Sequence, residues 1–200
     1  MTVLVGRQAP DFTAAAVMPD GSIKDDFRLS DSAGQYRLLF FWPLDFTFVC
    51  PSEIIAHDHR VKTFAERDVQ LIGVSIDSQF THYAWRNTPV DQGGIGEVQF
   101  PMVADVHREI MTRYGIAHPE DGVALRASFL IDRSGMVQHQ VVNNLPLGRN
   151  VDEMVRLVDA LQFTEEHGEV CPAGWRKGQP GMKADAAGVA EYLNKHADSL

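Results

Sequence analysis

Two residues of this chain stand out for covalent chemistry: Cys50 and Cys171, 121 positions apart. The thiolate is the nucleophilic form of cysteine. Oxidised to a sulfenic acid, it condenses with a second thiol to give a disulfide. Pro51 follows Cys50 directly, and proline is favoured in the first position of a helix. This order predicts Cys50 at a helix N-cap, where unpaired N–H groups and the helix dipole favour a negative charge. Taken locally, a second reading stays open, because a cysteine near a helix start is often a small buried hydrophobe. Cys171 lies in a stretch with Pro172, Gly174, Gly178, Pro180 and Gly181, which reads as a reachable loop or extended arm. Two cysteines without a C-x-x-C spacing argue against a zinc ribbon and against a thioredoxin-type disulfide reductase.

The elements that must hold Cys50 can be read around it. Tyr36–Trp42 is a run of large apolar residues that predicts a strand, and Val69–Asp77 predicts another. Ala127–Asp132 and Met136–Val142 flank the turn residues Arg133-Ser134-Gly135 and predict a hairpin. Helical spacing runs from Pro51 through Ile54, Ile55, Val61, Phe64 and Ala65. Val151–Leu161 carries a clear apolar face, with Asn150 placed to cap it. Weaker helical signals cover Ser78–Arg86, Asp105–Tyr114 and Ala184–His196. Strands separated by helices predict an α/β fold with a partly parallel sheet.

Bulk properties narrow the function. The 200 residues carry a net charge of -9, which disfavours nucleic acid and anionic membrane as partners. The longest apolar run, Leu38–Leu44, is far too short to span a bilayer. Residues 1–10 lack the pattern of a signal peptide, so the expected compartment is the cytoplasm, where thiols rest reduced. His57-Asp58-His59 looks like a metal-ligand pair, but positions i and i+2 of a helix point apart, so two surface histidines are expected. Gly93-Gly94-Ile95-Gly96 lacks the Lys-Ser/Thr of a phosphate-binding loop. No cofactor and no metal are implied.

The stretch Pro43-Leu44-Asp45-Phe46-Thr47-Phe48-Val49-Cys50 reads P-x-x-x-T-x-x-C and resembles the active-site signature of the peroxiredoxins. Further likeness follows in order: Phe46 to Glu53, the loop at Gly93, Arg126 before a strand, LPLGR at Leu145–Arg149, and HGEVCPAGW at His167–Trp175. Together these resemble the typical two-cysteine class, the group to which the peroxidase component of alkyl hydroperoxide reductase belongs.

That resemblance implies a thioredoxin-like fold over residues 1–165, with a C-terminal arm at 166–200 carrying Cys171. It implies a thiol peroxidase acting on hydrogen peroxide and organic hydroperoxides. Cys50 is expected to attack the peroxide and Cys171, from the other protomer of a dimer, to resolve the product as a disulfide. Thr47 and Arg126 are expected to serve the sulfur, Pro43 to shield it, Glu53 to orient an arginine, and Arg149 to stand behind them. The implied reductant is thioredoxin, a thioredoxin-like protein or a flavoprotein, and the implied assembly a decamer of five dimers. A holdase role and a redox-relay role are the rival functions. Tyr192-Leu193 keeps half of the Tyr-Phe pair that in the family accompanies sensitivity to excess peroxide, so intermediate sensitivity is expected.

Overall fold

The computed structural model describes residues 3–199. Seven strands form one sheet: β1 (Thr13–Val17), β2 (Ile23–Arg28), β3 (Tyr36–Phe41), β4 (Val69–Ser75), β5 (Met102–Ala104), β6 (Arg126–Ile131) and β7 (Val137–Asn143). Their order across the sheet is β2-β1-β5-β4-β3-β6-β7. Only β5, β4 and β3 run parallel, and the outer pairs are antiparallel. The α-helices are α1 (Cys50–Asp58), α2 (Val61–Ala65), α3 (Gln79–Arg86), α4 (Glu109–Arg113), α5 (Val151–His167) and α6 (Ala186–His196). By compactness the chain falls into two units, Met1–Val151 and Asp152–Leu200.

β3 is buried along its whole length, which explains the apolar run Leu38–Phe41; Arg37 is buried too, and its Nη2 donates to the Asp132 carbonyl oxygen at 3.0 Å. Leu39 and Phe41 join a core with Ile72, Val74, Val103, Tyr114 and Phe129. Phe40 meets different partners: the Trp42, Phe100 and His57 rings at 5.9, 5.3 and 3.9 Å between centroids. Gly73 of β4 sits beneath this group. A Cβ there would lie 2.7 Å from Trp42 Cζ3 and 3.0 Å from Phe40 Cζ, so only glycine fits.

Register places the site. β3 pairs with β6 from Arg37↔Ile131 to Phe40↔Ser128. The start of β6, with Arg126, therefore comes level with the end of β3, where the chain enters the loop leading to Cys50. The helical stretch after Cys50 is broken into α1 and α2, since Arg60 leaves helical geometry at φ -111° and ψ 6°.

In the second unit, Val170 and Met182 exchange backbone hydrogen bonds and close the loop that holds Cys171. Trp175 is buried within that loop, 4.8 Å from the Phe163 ring of α5, and its carbonyl accepts from Arg156 Nη1 at 2.8 Å. The segment is a loop, one of the two forms its Pro and Gly content predicts, and these contacts pin it. Asp185 caps α6 by accepting from the Gly188 N–H at 2.7 Å. Leu193 on α6 is 43% exposed.

Candidate active site

Cys50 lies one position later than the sequence predicts. Val49 is the N-cap, with helical dihedrals and no side-chain cap, so Cys50 is the first helical residue and Pro51 the second. The electrostatic argument survives this shift, because the first turn still presents N–H groups without intrahelical partners.

The Cys50 thiol is fully buried, and both cysteines are free. Thr47 Oγ1 lies 2.9 Å from Cys50 Sγ and 2.9 Å from the Leu44 carbonyl oxygen. A hydroxyl has one proton and two lone pairs. With a thiol at Cys50, the S–H donates to Thr47 and the hydroxyl donates to Leu44. With a thiolate, the hydroxyl turns and donates to sulfur.

Arg126 Nη1 donates to Cys50 Sγ at 3.2 Å and to Glu53 Oε2 at 2.8 Å, and its Nε donates to the Leu145 carbonyl. Glu53, one turn along α1, also takes the Arg149 Nε at 2.8 Å, its Nη2 at 3.0 Å and its backbone N–H at 2.8 Å. Arg149 Nη1 reaches the Ala127 carbonyl and Ser128 Oγ of β6. Burial alone would raise the Glu53 carboxyl, but the Arg149 contacts, with the Arg126 charge, outweigh it and hold the group below its usual range. Two guanidinium groups and one carboxylate leave one positive charge in excess. A Cys50 thiolate would balance it. Pro43 is buried in the loop that carries Thr47. Cys171 belongs to the second unit and is half-buried there, its Sγ 3.5 Å from the Ala160 carbonyl oxygen and 3.7 Å from Thr164 Oγ1.

His57 departs from its expected surface position and is fully buried, while His59 is exposed. α1 lies on the sheet with Glu53, Ile54 and His57 facing inward, the i, i+1, i+4 set of one helix face. The His57 ring stacks on Phe40 with the planes 2° apart, Nδ1 lies 2.7 Å from the Glu53 carbonyl oxygen, and Nε2 has no hydrogen-bond partner among the described residues. Burial, with the Arg149 charge adding to it, pushes the His57 pKa down from 6.5 to about 3. The proton is thus favoured only in the unfolded chain. Stability is full above about pH 6.5 and should fall below it, by up to about 1.4 kcal/mol per pH unit. His57→Phe should flatten that slope in denaturant titrations between pH 6.5 and pH 4. An unchanged slope would clear His57 as its source.

Comparison with known proteins then places the chain. Residues 5–140 match the model of the AhpC/TSA family. The chain belongs to that family. Residues 160–195 match the C-terminal domain of 1-Cys peroxiredoxin. The chain is 57% identical to alkyl hydroperoxide reductase C of Helicobacter pylori, over 99% of this chain and 100% of that protein. It is similar to the reduced 2-Cys peroxiredoxin of Plasmodium vivax, with a TM-score of 0.93, 48% identity, and 96% and 100% of the two chains covered. Thioredoxin peroxidase I of Plasmodium yoelii gives a TM-score of 0.77 and 52% identity, covering 87% of this chain and 99% of that one. The fold is therefore thioredoxin-like, as expected, and the chain is an enzyme of the peroxiredoxin type. Among the described residues no helix is long and apolar enough to cross a membrane.

Sequence reasoning missed one group beside these residues. Asp45, inside the signature, is buried against Trp42 and His82. Its charge on an apolar loop was the available signal.

Proposed function

We propose that the Cys50 thiolate attacks the outer oxygen of hydrogen peroxide or an organic hydroperoxide. The S–O bond forms as the O–O bond breaks, giving a sulfenic acid and releasing water or an alcohol once the leaving oxygen is protonated. The observation that carries this reading is a buried sulfur with a hydroxyl at 2.9 Å and a guanidinium at 3.2 Å. Thr47 orients the peroxide and Arg126 favours both the thiolate and the charge growing on the leaving oxygen. Glu53 and Arg149 hold Arg126 in place, and Pro43 keeps water from the sulfur. The Cys171 thiol of a second protomer then displaces water from the sulfenic acid, and a disulfide results.

The disulfide returns to two thiols by exchange with an external dithiol. Thioredoxin is the reductant favoured here, in line with the Plasmodium yoelii relative named for it; a thioredoxin-like protein and a flavoprotein are the alternatives. A dimer, and five dimers in a ring, are proposed as the assembly. Leu44, Phe46 and Phe48 of the site loop and Phe80 and Tyr83 of α3 leave apolar surface exposed, as an unfilled contact would. We place the enzyme in the cytoplasm, where its two thiols rest reduced. The peroxidase chemistry is assigned to 1–165 and resolution to 166–200.

Reduced protein should consume peroxide when thioredoxin and a flavoprotein reductant are supplied in parallel, one pair turning over faster. After peroxide alone, a non-reducing gel should show a disulfide-linked dimer, and Cys50→Ser or Cys171→Ser should prevent the double link. An oxidised monomer with a Cys50–Cys171 bond would overturn resolution between protomers.

A further inference from the structure

Asp45 is clamped from several sides. Trp42 Nε1 donates to its Oδ1 at 2.8 Å, and His82 Nδ1 lies 2.6 Å from its Oδ2. Its backbone N–H donates to Asp77 Oδ2 at 2.8 Å, and Asp77 is itself tied to the Ser75 hydroxyl at 2.9 Å. The His82 and Asp45 side chains are 0% and 1% exposed.

His82 has an acceptor at each ring nitrogen: the Asp45 carboxyl at Nδ1 and the Val103 carbonyl oxygen at Nε2, 3.2 Å away. A carbonyl can only accept, so Nε2 carries a proton, and a second proton lies between Nδ1 and the carboxyl. The pair thus ties the site loop to α3 and β5 through two bonds that survive burial only because both ends are satisfied.

The next residue, Phe46, adopts φ 51°. A side-chain-bearing residue there is strained and persists only where its surroundings over-determine it. The Phe46 ring lies 5.7 Å from that of Trp85, one turn beyond His82 on α3. Thr47 comes next. Its hydroxyl reaches both Leu44 and Cys50 only if the turn at 45–46 is held in this shape.

We propose that Asp45 and His82 are a positioning pair that holds the Thr47 hydroxyl on the Cys50 sulfur. Neither touches the reacting atoms. The inference rests on the reading of Thr47 as a group acting at Cys50.

The test is a double-mutant cycle on the second-order rate constant for peroxide reduction by the full-length enzyme. Asp45→Ala should slow the reaction roughly tenfold to a hundredfold, the cost of a small misplacement in a preorganised site. Introduced into Thr47→Val, the same change should cost less than about twofold, since residues acting through one group are not additive. Asp45→Asn should recover the wild-type rate to within about threefold, because an amide can still accept from Trp42 and donate to a neutral His82. Repeating the cycle with His82→Asn covers the case in which Asp45→Ala does not fold. Losses that multiply in both cycles would overturn the positioning role while leaving Thr47 in the site. A Thr47→Val enzyme with an unchanged rate would instead remove Thr47 from the chemistry, and the inference with it.

Discussion

Arg126→Ala should slow peroxide reduction by about a hundredfold or more. The side chain does two things at once. It supplies the only guanidinium hydrogen bond to Cys50 Sγ found among the described residues, and it shares Nη1 with Glu53. Its loss removes a donor aimed at developing charge from a site that excludes water, where such donors are worth most. Fold should persist, since Glu53 keeps its three bonds from Arg149. Arg126→Lys should lie between the two, a point charge lacking the planar fork that serves sulfur, carboxylate and the Leu145 carbonyl together. Cys50→Ser sets the floor at no turnover. Stopped-flow rates for Arg126→Ala within a few-fold of wild type would refute this role.

Glu53→Ala should have the largest effect on stability, a loss of about 3–5 kcal/mol in denaturant titrations. The Glu53, Arg126 and Arg149 side chains are 3%, 5% and 1% exposed. Two buried cations would be left without their shared anion, and that uncompensated charge is what costs. Because the carboxyl is held below its usual range, its contribution is present above about pH 4.3 and is lost only as pH falls further through the folded-state value. The Glu53→Ala deficit should therefore be constant at neutral pH and shrink in acid. A deficit under about 1 kcal/mol at pH 7 would mean that water reaches the cluster after all.

β3, β4, β6 and β7 were legible as strands because the first three are buried along most of their length and the last two share a hairpin turn. β1, β2 and β5 were not. β1 reads TAAAV, and alanine carries little strand preference; β2 reads IKDDFR, with four charges. Their pairing, from Thr13↔Arg28 to Val17↔Ile23, is a tertiary fact that overrides local preference. At the site, Cys50, Thr47, Arg126, Pro43 and Glu53 were named through a family pattern. Asp45 and His82 stand 37 positions apart, and no local period joins them. His57 was misplaced because a polar residue on a short helix gives no sign of which face meets the sheet.

The break between α1 and α2 works as a firebreak. Helix melting is cooperative only along a continuous hydrogen-bond ladder. α1 ends at Asp58, and α2 begins at Val61 with its own seat on β4 and the fully buried Phe64. Unwinding that starts at Cys50, as the proposed disulfide demands, therefore runs out within nine residues. The first turn of α1 would let go in that proposed step, while α2 keeps Phe64 buried against β4, so opening at one end would leave the other closed.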